Sequence, residues 1–213
     1  MKTTDQNVRG LVTINIETIS DQSIPDDELP DVKLGNLKDP DKIKAKTEEA
    51  KEKMSLRPLT GIIVVGGFKR DNEDVEMFVG EAGTLVGYSE LCSDPRGVPL
   101  LVTYNGRAFD LPFLAMTYLR HNVRFPFLPA MHETRYKHDR HLDVYDFLTQ
   151  YGAMMGGVLA EWGARLGVKP KVWGRGSQVA EWHRAGDMES IVRHCASNIE
   201  VTHSIGQRIC DVF

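Results

Sequence analysis

Residues 8–18, VRGLVTINIET, alternate in the manner of an extended strand. Leu11, Thr13, Asn15 and Glu17 fall on one face, and Val12, Ile14 and Ile16 on the other. The aliphatic stripe belongs against a core. The amide and the carboxylate, two residues apart on the opposite side, need polar company. A core strand that carries a site at its end satisfies both demands.

Further strands are expected at 61–69 (GIIVVGGFK) and 74–79 (DVEMFV), joined by a turn at 70–73, and at 100–104 (LLVTY). Helical patterns follow at 84–92, 110–122, 158–166, 178–185 and 188–210, and residues 141–151 open as a strand and continue as a helix. The stretches 124–139 and 169–177 read as loops, the second of them basic. Strands first and helices later, with alternation between, predict an α/β or α+β chain with one mixed sheet flanked by helices.

Residues 21–60 differ. DQSIPDDELPDVKLGNL is acidic, proline-containing and poor in apolar residues, so an extended arm is expected, followed by a helix at 41–54 with Asp39-Pro40 at its start. The apolar stripe of that helix, Ile43, Ala50 and Met54, is narrow, which predicts a solvated helix and leaves the arm as a place for a protein partner. The 213 residues suit one sizeable domain plus this arm. With 41% hydrophobic and 26% charged residues, wholesale disorder is excluded. The 26 basic and 30 acidic residues leave a net charge of −4, which argues against coating nucleic acid by bulk charge but allows a local basic groove. No membrane span and no secretory leader are expected. Cys92, Cys195 and Cys210 are too scattered for a zinc knuckle, so a reducing, cytoplasmic setting is the default.

Four places carry polar residues where chemistry would want them: Asn15 and Glu17 on the first strand, Asn105 to Asp110 at a strand-to-helix junction, His141 to Asp143, and His194 with Asn198 one turn apart on the last helix. Each has an ordinary alternative, such as Asp110 capping its helix. As a set, they resemble the DEDD 3′–5′ exonucleases, most closely the branch of predicted exonucleases related to the proofreading domain of family-B DNA polymerases. TINIET at 13–18 matches the first motif, YNGRAFDLPFL at 104–114 the second, HLDVYDFL at 141–148 the segment after it, and GSQVAEWHRAGDMESIVRHCASNIEVT at 176–202 the third region.

That resemblance implies a ribonuclease-H-like fold and hydrolysis of single-stranded DNA from its 3′ end, with RNA as the other polymer. It also implies a pair of Mg²⁺ or Mn²⁺ ions held by four carboxylates. The metal-ligand positions are then Asn15, Glu17, Asp110 and Asn198, and the catalytic set is Glu17, Asp110 and His194, the last in the slot of the family's water-orienting tyrosine. Asn105, Arg107, Phe109, Lys171 and Arg175 are expected against nucleic acid, with Lys169 and Trp173 in the same loop. Here the chain departs from the family: Asn15 and Asn198 stand where acids are usual. The ligand set carries −2 instead of −4, and each missing charge costs on the order of a few kcal/mol of ion binding. Weakened hydrolysis is therefore expected, with a catalytically inactive binding or scaffold subunit as the alternative. Asp143 and Asp146 are the nearby acids that would compensate.

Overall fold

The structure, a computed structural model, describes residues 10–25, 36 and 38–213. The first two residues of the expected opening strand and most of the acidic arm, 26–35 with 37, lie outside the described residues.

Five strands form one mixed sheet: β1 (Leu11–Ser20), β2 (Gly61–Arg70), β3 (Glu76–Val79), β4 (Leu100–Thr103) and β5 (His141–Asp143), in the order β3-β2-β1-β4-β5. β1–β2 and β2–β3 are antiparallel, whereas β1–β4 and β4–β5 are parallel. β1 is thus central and covered on both sides, so it is buried along nearly its whole length although polar residues alternate with apolar ones.

Its two faces meet different helices. Val12, Ile14 and Ile16 pack with Leu85, Tyr88 and Leu91 of α2 (Gly80–Ser93) and with Leu111, Leu114 and Tyr118 of α3 (Asp110–Arg120). On the opposite face, Leu11 joins Val102 and Leu142 beneath Leu159 of α6 (Leu159–Leu166) and Val201, Ile205 and Ile209 of α8 (Met188–Val212). The pairing of β1 with β2 shifts register between Glu17 and Thr18, a local irregularity of the kind that re-aims a side chain.

The expected helix of the arm is α1 (Pro40–Met54). Asp39 Oδ1 caps it by accepting from Asp41 N at 3.0 Å, Lys53 pairs with Glu49 at 2.5 Å, and Met54 is buried at its end. α2 starts four residues earlier than its sequence pattern suggests. Gly80 and Gly83 weaken the local helical signal, but Glu81 in the first turn pairs with Arg120 at 2.5 Å and His121 at 2.8 Å and accepts from Ile63 N at 3.3 Å. Tertiary contact therefore outweighs propensity. A single turn, α4 (Leu128–Met131), interrupts the expected loop at 124–139, with proline in its first turn. α5 (Val144–Leu148) follows β5 directly, and α7 (Val179–Arg184) precedes α8 across Gly186-Asp187.

The turn after β4 sets the position of everything beyond it. Asn105 has φ of 60°, and a Cβ on Gly106 would lie 2.4 Å from Thr103 Cβ. The chain folds back onto its own strand, and only glycine fits. Gly106→Ala should lower stability by about 1–3 kcal/mol, the usual range for overpacking, measured as a lower melting midpoint. Gly176→Ala, where a Cβ meets nothing within 4 Å, should leave that midpoint unchanged.

Candidate functional site

The polar face of β1 points at α8. Thr13 Oγ1 lies 2.9 Å from His203 Nδ1, Asn15 Nδ2 donates to Cys195 Sγ at 3.3 Å, and Asn198 Nδ2 donates to Glu17 Oε1 at 3.1 Å. Asn15 Nδ2 donates to the same Glu17 oxygen, also at 3.1 Å. Asp110, the first residue of α3, accepts from Ile16 N through Oδ1 at 3.1 Å. β1 pairs with β4 only as far as Thr13, so beyond that point a side-chain carboxylate takes the place of a neighbouring strand. The residues expected from the first, second and third motifs therefore converge on one site.

His194 belongs to the same cluster. Its Nδ1–H donates to Trp173 O at 2.5 Å, which leaves Nε2 as an acceptor for Asn198 Nδ2 at 3.2 Å, with Glu17 Oε1 3.6 Å away. Burial pushes Glu17 up to about 7, against the hydrogen bonds from Asn15 and Asn198. Burial also pushes Asp110 up to about 8, helped by the charges of Asp143 and Glu17. The same desolvation holds His194 below its ordinary value, opposed by its bond to Trp173. An ion pair would move Glu17 down and His194 up. Glu17 is instead raised and His194 lowered, the directions of a neutral pair.

Asp143 does not face the cluster. Its two oxygens accept from Asn105 N and Arg107 N, both at 2.9 Å, and it caps α5, so it clamps the turn that leads to Asp110. Asp146 is engaged by Arg135 at 2.5 Å. Neither compensates for the missing acids.

Arg107, expected against phosphate, turns into the chain: Nη1 donates to Glu133 O at 2.8 Å and Nε stands 3.6 Å from Asp146, while Nη2 has no hydrogen-bond partner among the described residues. Phe109 is half-buried against Phe113, with ring centroids 5.6 Å apart. Asn105, Lys169, Lys171 and Arg175 are exposed. Trp173 is no free stacking platform, because Trp182 stacks on it at 5.2 Å and Arg193 lies 4.6 Å over its ring. That stack holds the basic loop against α8 and thereby sets the Trp173 carbonyl that orients His194. Asp143, Trp182 and Arg193 were not singled out for these roles in the sequence, since none lies in register with a motif acid. A cavity of about 500 Å³ lined by Cys92, Phe127, Pro129 and Arg140 shares no residue with the cluster.

The pair of divalent ions implied by the resemblance does not fit these residues. Among the described residues, no three His, Cys, Asp or Glu side chains gather in a metal-binding arrangement. Two dications about 4 Å apart repel by ~17 kcal/mol at an effective dielectric near 20. Four carboxylates offset such repulsion. Glu17 and Asp110, already costly to ionise, supply half of that charge.

The raised carboxylates make the fold less stable as pH rises. Between the ordinary values of 4.5 and 3.8 and the folded values near 7 and 8, the folded chain keeps protons that the unfolded chain releases. In metal-free buffer, Glu17→Gln, whose Oε1 still accepts from both asparagines, should match the parent near pH 5 and exceed its stability near pH 8 by on the order of 2 kcal/mol. Thermal melts at the two pH values measure this. A gap that shrinks with rising pH would contradict the buried carboxylate.

Comparison with known proteins shows the fold and the family. In structure the chain is similar to the family B DNA polymerase of the hyperthermophilic archaeon Pyrobaculum calidifontis, with a TM-score of 0.65 and 15% sequence identity. The match covers 94% of this chain and 24% of the polymerase, so the chain spans about a quarter of that protein. At that identity the likeness shows the fold, a ribonuclease-H-like α/β domain of the polymerase-exonuclease kind. No curated protein matches the chain. The model of predicted 3′–5′ exonucleases related to the exonuclease domain of PolB matches residues 89–210, a span that holds Asp110, His194 and Asn198. With more than half of its length inside that match, the chain belongs to this family of 3′–5′ exonuclease-like proteins.

Proposed function

We propose that this chain binds the 3′ end of a single-stranded nucleic acid, DNA in the first instance, and hydrolyses it far more slowly than a chain with four acids at the site. The observation that carries this reading is the convergence of Asn15 and Asn198 on one oxygen of Glu17, with Asp110 beside them. The positions are those of a nuclease site, but two of the four side chains are neutral.

Each residue has a part in this reading. Asp110 and Glu17 are the two groups whose negative charge would hold a divalent cation beside the scissile phosphate, since a carboxylate facing the phosphate directly repels it. His194 presents Nε2 in its neutral form, held by Trp173, and would accept a proton from water once Asn198 turns aside. Lys169, Lys171 and Arg175, exposed on a loop pinned by the Trp173–Trp182 stack, would meet the phosphate backbone, and Asn105 and Phe109 would line the end of the strand. Arg107 supports the turn from beneath.

The test pairs the parent chain with an Asn15→Asp/Asn198→Asp variant on 3′-labelled single-stranded DNA in Mn²⁺. The variant should degrade the strand at least tenfold faster, as expected when more than ~1.4 kcal/mol of charge stabilisation returns. A parent as fast as the variant overturns the weakened site. If neither cuts but both bind, the chain is a binding module. Affinity for the strand should fall as salt rises and fall further in Lys171→Ala/Arg175→Ala; an affinity indifferent to salt would exclude phosphate contacts at that loop.

A further inference from the structure

We propose that the outer face of α2 and α3, together with the loop that follows α1, docks a helix of a partner protein whose apolar stripe is bordered by acidic residues. This surface is separate from the Glu17 cluster: α3 carries Asp110 at its first residue and the docking face toward its other end, up to about 15 Å along the helix.

α3 buries Leu111, Leu114 and Tyr118 against β1 and leaves Met116 and Leu119, three residues apart, on its outer side. Val123 N bonds back to Tyr118 O at 2.9 Å, which folds the exposed Val123 alongside them. An apolar stripe of this kind ordinarily faces a core, yet Leu119 is 69% exposed. On α2, Leu85 and Tyr88 turn inward while Val86 is exposed. The two helices are joined beneath this face, where Tyr118 Oη donates to Leu85 O at 2.8 Å and lies 3.2 Å from Ser89 Oγ. The loop at 55–60 closes one end. Arg120 Nη1 donates to Pro58 O at 3.3 Å, which sets Leu59, 71% exposed, beside the last turn of α3. Single exposed aliphatic residues need no explanation, whereas a contiguous set over a helix seam marks a contact surface.

Charge indicates what covers it. Three exposed arginines border the loop end: Arg57 next to Pro58, Arg120 bonded to it, and Arg124 next to Val123. The acid at that end, Glu81, is already taken by Arg120 at 2.5 Å and His121 at 2.8 Å. Among the described residues, Arg57 and Arg124 have no carboxylate in ion-pair range. Glu90, exposed a turn beyond Val86, marks the far end. A second copy of this chain would bring the same arginines to a two-fold contact, like charge against like. A single strand would want exposed rings to stack on, and the face offers aliphatic side chains. A lipid surface would want aromatic residues at its boundary, which this face also lacks. An amphipathic helix with acidic flanks satisfies both features, its apolar side on the α2–α3 seam and its carboxylates on the arginines. Met116 lends the seam an adaptable side chain.

The probe is a fluorescent synthetic helix with leucine along one face and glutamate beside it, titrated with the full chain and followed by anisotropy. Its partner probe carries lysine in place of glutamate. The glutamate helix should bind, and the lysine helix should bind more weakly by roughly tenfold or more. Leu119→Glu should weaken the glutamate helix by a similar factor, and Arg57→Ala/Arg124→Ala should weaken it and flatten its salt dependence. All these side chains are exposed, so melting midpoints and affinity for single-stranded DNA should stay at the parent's values. If Leu119→Glu folds poorly, Val86→Glu tests the same seam. No binding at millimolar chain, equal binding of the two helices, or binding that survives the glutamate substitutions would overturn the proposal. So would a parent dimer in sedimentation that Leu119→Glu dissolves, which would assign the face to a second copy. Binding of phosphatidylserine vesicles that the same substitution abolishes would assign it to lipid and overturn the proposal as well.

Discussion

The hydrogen bond from Ile16 N to the Asp110 carboxylate ties the central strand to the helix that begins with the second motif. β1 outruns its parallel partner β4, and an unpaired N–H inside a sheet must find an acceptor. A carboxylate supplied from a helix start meets that need and leaves its second oxygen for the site. The strain is absorbed upstream, where Asn105 takes a positive φ, Gly106 lies against Thr103, and Asp143 grips the turn through two backbone amides.

Around Glu17 a different balance rules. A cluster of four buried carboxylates without cations repels itself, and each is costly to desolvate. With amides at Asn15 and Asn198, the same positions become a closed hydrogen-bond network in which Glu17 Oε1 accepts twice and His194 stays neutral. The exchange favours a folded, quiet site and removes the charge that a cation pair needs. Fold and chemistry pull in opposite directions at these two residues, as happens where a site is buried in a core.

Much of this architecture was legible in the sequence. The alternation at residues 11–17 sorted the two faces of β1 correctly: the aliphatic set meets α2 and α3, and the polar set meets α8. The asparagines at 15 and 198, the acids at 17 and 110 and the histidine at 194 converge as the motif resemblance implied. Less legible were the early start of α2, where the contacts of Glu81 with Arg120, His121 and Ile63 N outweigh poor local propensity, and the inward turn of Arg107. An arginine beside Asn-Gly in a nuclease-like motif looks like a phosphate ligand. Only the positions of Glu133 and Asp146, far along the chain, show it to be a strut.

Side-chain type and order were enough to specify strands, helices and the identity of the clustered residues, because period, capping and motif spacing are local properties. Which end of each amide faces Glu17, which nitrogen of His194 keeps its proton and which tryptophan face is already covered are not local. They follow from contacts between β1, the basic loop and α8, about 180 residues apart in the chain. Hydrogen-bond donors and acceptors acquire direction only when the fold supplies their partners, and in this protein that direction closes the network around Glu17 and His194.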